Sequence, residues 1–153
     1  MIDNLIDQLK RDEGERLYVY RDSKGILTAG VGHNCEAHNE GLAEGDVVTQ
    51  EQVDKWLADD IQTAKTLLWQ HCPWIDTLDE VRRNVLYNMI FQMGWSNEEQ
   101  THGLITFRHF LQNVLEKKFL TASEAGLKSA WAEHDSPDRA KRLMLQMLSG
   151  EWQ

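Results

Sequence analysis

A chain of 153 residues with a formal net charge of −9 is long enough for one globular domain with its own hydrophobic core. Hydrophobic residues make up 41% of the chain and charged residues 27%, a composition that excludes an extended disordered protein. The charge also argues against a nucleic-acid-binding protein, because affinity for phosphate backbones comes from Lys and Arg. Residues 1–60 carry 14 acidic side chains and only 6 basic ones.

The N-terminal segment has no apolar run of the signal-peptide type, and no stretch of roughly 20 apolar residues that could span a membrane. We therefore expect production in the cytoplasm and no stable membrane insertion. Two cysteines, Cys35 and Cys72, are too few for a disulfide framework, and reduced thiols are expected in that compartment. Whether they ever bond to each other stays open. No Cys/His spacing indicates a metal site, and we expect no organic cofactor.

The first elements are a helix followed by a hairpin. Apolar residues at helical spacing predict a short amphipathic helix that ends at Gly14. Residues 17–20 then predict a strand, residues 22–25 a tight turn that begins with Asp and ends with Gly, and residues 26–29 a second strand. The following GVGHNC sequence lacks the third glycine and the helix start that dinucleotide binding requires.

A polar segment over residues 34–48 predicts a surface loop, and beyond it the pattern becomes helical. An apolar stripe predicts a long helix over about 49–71, which cannot continue through Pro73. Helices of this length commonly connect two lobes of a small protein.

Three capping boxes, in which a Thr is followed three residues later by Glu or Gln, predict helix starts at Thr49, Thr77 and Thr121. The second of these helices is expected to end at Gly94. Further helices are predicted over 107–115 and 120–131.

Ser136 followed by Pro137 predicts the N-terminus of a last helix that ends at Gly150. The predicted fold class is α+β. It comprises a small N-terminal lobe with a β-hairpin sheet (about 12–50) and an all-helical C-terminal lobe (about 75–153), with the helix at 1–11 packed on the latter.

Two acids and a hydroxyl fall close together in this N-terminal segment. Glu13 ends the first helix, Asp22 opens the turn, and Thr28 lies in the second strand. Two carboxylates on a rigid scaffold are what acid-assisted cleavage of a glycosidic bond requires. Each residue also has a structural interpretation: a solvated helix-terminal glutamate, a turn-forming aspartate and a strand threonine. Taken singly, the structural interpretation is the commoner one, and only the joint spacing favours chemistry.

Five motifs carry this interpretation further along the chain. They are D-E-G-x-R-L-x-x-Y-x-D at 12–22, G-x-x-T-x-G-x-G-H at 25–33, L-D-x-V-R-R at 78–83, N-M-I-F-Q-M-G at 88–94 and P-x-R-A-K-R at 137–142. In order and spacing they closely resemble the phage lysozyme family, whose members are endolysins. The resemblance covers most of the chain and implies a lysozyme-like α+β fold.

The resemblance implies hydrolysis of the β-1,4 bond between N-acetylmuramic acid and N-acetylglucosamine in bacterial peptidoglycan, leading to host cell lysis. The family's catalytic residues fall on Glu13, Asp22 and Thr28. Glu13 would protonate the leaving oxygen, while ionised Asp22 would stabilise positive charge and help to hold a water molecule oriented by Thr28. This inverting route needs carboxyls about 6.5–9.5 Å apart, whereas a separation near 5 Å would favour a retaining route.

The resemblance also implies roles for supporting residues. His33 would pair with Asp60 on the long helix, in a structural role. Phe91 and Gln92 match the C-terminal side of the substrate cleft, although Phe91 is equally compatible with a core position. Arg139 matches an arginine near the catalytic glutamate and would tune Glu13, unless it is only a charge on the helix surface.

Other positions depart from the family pattern. Asn34 replaces a hydrophobic cleft residue and is kept as a candidate substrate contact, and Ser136 joins Arg139 as a candidate structural or tuning residue. Phe110 and Ala125 stand where the family has a serine and an asparagine that contact sugar. Three tryptophans could stack on sugar, although tryptophan is more often a core residue: Trp95, Trp131 and Trp152.

A family member of this kind would be a monomer without a cofactor. It would reach the periplasmic cell wall with the help of a membrane-permeabilising holin. Two alternatives remain: a lytic transglycosylase, which uses a single acid and yields an anhydro-sugar, and a non-catalytic peptidoglycan-binding module. Asp22 and Thr28 argue against the first, and the intact set with Glu13 argues against the second.

Overall fold

The computed structural model describes residues 1–37 and 40–153, and it confirms the predicted α+β fold class. Short 3-10 turns lie at Pro73–Thr77 and Leu104–Thr106, and a π-helical turn at Trp131–Asp135. The helices and strands in chain order are α1 (Leu5–Glu13), β1 (Arg16–Arg21), β2 (Leu27–Gly30), β3 (His33–Asn34), α2 (Gln50–His71), α3 (Glu80–Met93), α4 (Arg108–Leu115), α5 (Phe119–Leu127) and α6 (Pro137–Ser149).

The chain divides into two compact units. The sheet unit, Asn4–Thr63, contains α1, the three strands and the first part of α2. The helical unit, Met1–Asp3 with Ala64–Gln153, contains the rest of α2 and the helices α3 to α6. The predicted boundaries of the lobes, and the packing of the first helix on the C-terminal lobe, stay predictions.

In the sheet unit, α1 begins and ends as its sequence predicts. The Asn4 side chain accepts a hydrogen bond from the Asp7 amide (2.9 Å), which satisfies one of the unpaired N–H groups of the first turn. Gly14 ends the helix with a φ of +77°, a value that favours glycine. Leu5 and Leu9 form its buried face.

The sheet has three antiparallel strands in the order β1-β2-β3. Tyr20 on β1 lies opposite Thr28 on β2, and Ala29 lies opposite His33 on β3. The strand β3 falls at the edge of the segment predicted as a surface loop over 34–48, of which residues 38–39 lie outside the described ones. With only two residues, it is too short to show the alternation that predicts a strand.

The helical unit is built around one hydrophobic core, to which α3 and α6 contribute their buried faces. Large buried side chains from both helices, such as Leu86, Met89, Leu143 and Met147, lie in this core. None of the helices in the described part of the chain is long and apolar enough to cross a membrane.

The structure contradicts two of the three predicted capping boxes. The Thr49 hydroxyl does accept from the Gln52 amide (3.1 Å) at the start of α2. Helix α3, however, begins after Asp79, whose carboxylate accepts from the Arg82 amide, while the Thr77 hydroxyl donates to a carbonyl of the preceding 3-10 turn. Thr121 lies inside α5 rather than before it. A capping motif shows which bonds a side chain could make, and a better-placed acceptor such as Asp79 can replace it.

The helix predicted over 120–131 is also too long. Helix α5 ends at Leu127, because the Lys128 and Ser129 amides turn to the carbonyls three residues earlier, Ala125 and Gly126. This tightening of the last turn satisfies carbonyls that have no partner further along the helix.

Candidate active site

Glu13 is the last residue of α1, and its carboxylate lies directly against the backbone of the turn between β2 and β3. A Cβ atom built on Gly32 would stand 2.9 Å from Glu13 Oε2, which is closer than real Cβ contacts allow. Gly32 also has a φ of +64°, in the left-handed region. The backbone conformation therefore favours glycine at this position, and any side chain here would displace the Glu13 carboxylate.

Asp22 and Thr28 are connected through the backbone of one residue, Ile26. Asp22 Oδ1 accepts hydrogen bonds from the Lys24 and Ile26 amides (2.8 and 2.9 Å), and the Thr28 hydroxyl donates to the Ile26 carbonyl (2.9 Å). Asp22 Oδ2 accepts no hydrogen bond from the described residues. These bonds fix the two side chains relative to each other and leave oxygen lone pairs on both.

The charges of Glu13 and Asp22 both influence the pKa of Tyr20. Burial raises the pKa of the Tyr20 phenol, the Arg16 guanidinium opposes this, and the negative charges of Glu13 and Asp22 add to it. The Arg16 guanidinium lies 4.1 Å from the centroid of the Tyr20 ring, and Tyr20 is the cross-strand partner of Thr28. Both carboxylates thus act on one phenol, and all three candidate catalytic residues lie within the sheet unit.

His33 contacts two carboxylates. Its Nδ1 lies 2.7 Å from Asp60 Oδ2, the contact that the resemblance implied, and its Nε2 lies 2.7 Å from Glu40 Oε1. The ring stacks on Trp56 with centroids 4.4 Å apart and planes 6° from parallel. Burial lowers the pKa of His33, but the hydrogen bonds and charges of Asp60 and Glu40 outweigh it, so the net pKa is raised. Sequence reasoning missed Glu40, because no pattern distinguishes a partner glutamate inside a polar loop.

Asn34 has a structural task in this unit. Its side-chain oxygen accepts hydrogen bonds from the Glu36 and Ala37 amides (2.9 and 3.0 Å), so it shapes the turn that follows β3. The residue is exposed, and its contact with substrate stays a prediction.

In the helical unit, Gln92 connects two neighbours. Its Nε2 donates to Ser136 Oγ (2.8 Å), and its Oε1 accepts from Trp131 Nε1 (2.9 Å). Phe91 is half-buried and packs against the core. These contacts hold the Gln92 amide in one orientation, which the sequence did not indicate.

Arg139 is buried, and its Nε and Nη2 donate to Asn88 Oδ1 (2.9 and 2.8 Å), so it is not the helix-surface charge considered as its alternative. Its influence on Glu13 stays a prediction. Phe110 and Ala125, which depart from the family pattern, line an open cavity of about 460 Å³ within the helical unit, and Phe110 also belongs to the core.

Two of the three candidate stacking tryptophans are engaged within the protein. Trp131 is buried, and Trp95 stacks on His71 with centroids 4.3 Å apart. Both cysteine thiols are buried and outside any disulfide. In the described part of the chain, no group of three or more His, Cys, Asp or Glu side chains is arranged to hold a metal ion.

Comparison with known proteins gives a consistent result. A family model described as phage lysozyme matches residues 10–129. Two proteins of Dictyostelium discoideum, named probable T4-type lysozyme 1 and 2, are 27% and 30% identical to this chain, and each alignment covers 98% of this chain and 96% of the relative. An endolysin of Salmonella phage P22 is 36% identical over 95 residues, which make up 61% of this chain and 62% of that endolysin.

Proposed function

Since this chain belongs to the phage lysozyme family and is a lysozyme-type glycosidase, we propose that it hydrolyses the β-1,4 bond between N-acetylmuramic acid and N-acetylglucosamine in bacterial peptidoglycan. The observation that supports this reaction is that the hydrogen bonds joining Asp22 and Thr28 through Ile26 lie in the same compact unit as Glu13, whose carboxylate rests against Gly32. In this proposal the protein acts as an endolysin on the cell wall of a bacterial host, after a holin has permeabilised the membrane.

In the proposed reaction, Glu13 is the general acid. Its contact with Gly32 limits the positions open to the carboxyl, so that the proton is held toward the bound glycosidic oxygen. As the C–O bond breaks, the oxygen leaves with the Glu13 proton, and positive charge develops on the sugar ring. Ionised Asp22 stabilises this charge.

The attacking water is held by Asp22 and Thr28 together. The Thr28 hydroxyl proton is already donated to the Ile26 carbonyl, so its oxygen is available as an acceptor. One hydrogen of the water is donated to Thr28 Oγ1 and the other to Asp22 Oδ2, which directs a water lone pair at the anomeric carbon. Asp22 takes up the proton as the new C–O bond forms, and the anomeric centre inverts.

Substrate contacts outside this group are proposed at Phe91, Gln92 and Asn34. Gln92 is already bonded to Trp131 and Ser136, so we propose that it binds sugar with its remaining amide hydrogen and oxygen lone pair. The proposed organisation is a lysozyme-like domain of two lobes connected by the helix at about 49–71.

Glu13→Gln tests the proposed general acid. Glutamine keeps the shape of the side chain but cannot supply a proton, so we expect a folded protein that has lost nearly all clearing in a peptidoglycan zymogram. Glu51→Gln, which neutralises an exposed acid at the start of α2, serves as the matched control and should clear like the wild type. Equal clearing by all three proteins would refute the general-acid role.

Asp22 is better tested as Asp22→Asn than as Asp22→Ala. Asparagine keeps the oxygen that accepts from the Lys24 and Ile26 amides, whereas alanine loses both turn bonds along with the charge. The mass of the released fragments then separates the two enzymatic routes. A hydrolase product contains one more water than the anhydro-sugar that a lytic transglycosylase releases.

A further inference from the structure

A cluster of three side chains joins separate parts of the sheet unit. His33 lies on β3, Asp60 lies on α2, and Glu40 lies in the loop that follows β3. Each ring nitrogen of the buried His33 is 2.7 Å from a carboxylate oxygen. The covering Trp56 ring fixes the plane of the imidazole, so both contacts depend on the same orientation.

The two contacts determine the protonation state of His33. A carboxylate can only accept, so both ring nitrogens must carry a hydrogen, and the imidazole is positively charged in this arrangement. Among the described residues, Asp60 from α2 and Glu40 from the loop are charged groups that face the ring. The nearby Cys35 thiol stays neutral, because burial and the same two carboxylates raise its pKa to about 11.

This cluster adjoins the Glu13 site through the chain itself. His33 directly follows Gly32, whose backbone lies against the Glu13 carboxylate. Any rotation or shift of the His33 backbone therefore moves the surface on which the Glu13 side chain rests. Because misplacement by about 1 Å can cost a factor of about 100 in rate, such a shift matters for proton transfer.

We propose that Glu40 is a positioning residue for the hydrolysis: together with Asp60 it holds His33 from both sides and so fixes the Gly32 backbone against Glu13. The proposal rests on the proposed role of Glu13 as general acid. Glu40 contacts His33 rather than the reacting groups, and it acts only through the position of the turn between β2 and β3.

The arrangement has a defined pH dependence. The pKa of His33 is raised by its two partners, so both contacts are complete below that pKa and one is lost as the pH rises through it. A neutral imidazole has a single N–H, and its other nitrogen then faces a carboxylate lone pair. Glu40 is the partner that moves, because Asp60 is held within the long helix α2 whereas Glu40 lies in a loop.

Two substitutions of Glu40 separate its hydrogen bond from its charge. Glu40→Gln removes the charge but keeps an oxygen that accepts from His33 Nε2–H, while Glu40→Ala removes both. Asp59→Asn is the matched control, because Asp59 is the exposed neighbour of Asp60 and pairs with Lys55. For each protein the imidazole titration of His33 is followed by NMR, and the rate of peptidoglycan hydrolysis is measured across the same pH range.

We expect both Glu40 variants to lower the pKa of His33 relative to the wild type and Asp59→Asn, because each removes a negative charge that raises it. The wild-type rate falls as the pH rises through the pKa of His33, whereas Glu40→Ala shows no such fall, because the contact that titration breaks is already absent. At low pH, Glu40→Gln keeps the wild-type rate, while Glu40→Ala is about tenfold to a hundredfold slower.

Both substitutions remove the same charge, so any long-range effect of that charge on Glu13 is equal in the two variants. Equal low-pH rates for Glu40→Gln and Glu40→Ala would therefore overturn the proposal, because they would show that the hydrogen bond does not affect the rate. An unchanged His33 pKa in Glu40→Ala would also overturn it, because it would show that the contact between Glu40 and His33 does not form in solution. If Glu40→Ala does not fold, Glu40→Gln still decides the question. Its amide can turn and donate to a neutral imidazole, so its rate should persist at a pH where the wild-type rate falls, and an equal fall in both would overturn the proposal. The NMR titration needs no activity, so a failure of the proposed function, read from Glu13→Gln, is distinguishable from a failure of this inference.

Discussion

At Gly32 the space that a side chain would fill belongs to another residue. The backbone has a φ of +64°, and the Glu13 carboxylate stands where a Cβ would be. Gly25, in the turn between β1 and β2, has a φ of +79° but nothing within 4 Å of its ideal Cβ. The two glycines share a positive φ, and of the two only Gly32 lies against Glu13.

This pair predicts a separation of stability from activity. Gly32→Ala and Gly25→Ala should each lose about 1–2 kcal/mol of unfolding free energy, because an L-residue is strained at these values of φ. Only Gly32→Ala displaces Glu13, so we expect its hydrolysis rate to fall by about a hundredfold. Thermal melts and a turbidity assay on peptidoglycan measure the two effects. If both variants lost activity alike, the contact with Glu13 would have no part in the reaction.

At the scale of elements, the C-terminus of α6 is stabilised by a side chain from α3. Arg82 Nε donates to the Met147 carbonyl (2.7 Å), and its Nη2 donates to the Leu148 carbonyl (3.0 Å). The same guanidinium lies 3.8 Å from the Phe119 ring centroid and pairs with Asp79. Carbonyls in the last turn of a helix have no partner within it, so Arg82 satisfies two of them.

We expect Arg82→Ala to lower the free energy of unfolding by about 2–4 kcal/mol, since hydrogen bonds to a charged group are worth about 1.5–3 kcal/mol each and some are replaced by water. Arg82→Lys should recover only a small part, because an ammonium cannot donate in a fork and stack on a ring at once. Denaturant titration measures the free energy of unfolding. Arg83→Ala is the control, because the Arg83 guanidinium is 4.0 Å from the exposed Asp76. Equal losses in Arg82→Ala and Arg83→Ala would contradict the role of Arg82.

At the scale of the whole molecule, the two compact units have cores of different size. The main cluster of buried hydrophobic residues falls entirely within the helical unit. Among the largest fully buried side chains of the described residues, Leu9 and Gln8 belong to the sheet unit and the others to the helical unit. Because stabilisation grows with the apolar area that is buried, the sheet unit should be the less stable one.

The two cysteines can report on each unit separately. Cys35 lies in the sheet unit and Cys72 in the helical unit, and burial raises the pKa of both thiols, so neither reacts until its unit opens. In Cys72→Ala and Cys35→Ala variants, each with one thiol left, we expect Cys35 to be alkylated at a lower denaturant concentration than Cys72. Coincident labelling curves would show instead that the two units open together.

The sequence by itself determined features that depend on residues close together in the chain. The end of α1 at Gly14, the turn that Asp22 opens and the start of α6 at Pro137 follow from backbone preferences and caps within a few residues. The spacing of Glu13, Asp22 and Thr28 belongs to the same class, because one helix end and one hairpin carry all three.

Only the tertiary structure decided which distant groups meet. Glu40 and Asp60 stand 7 and 27 residues from His33, and Gln92 stands 44 residues from Ser136. The start of α3 after Asp79 is a related case, in which several polar side chains could have capped the helix. The local sequence pattern indicates which groups a side chain is able to bind. Burial and the geometry of the folded chain then select one partner among many, because a buried polar group must be paired.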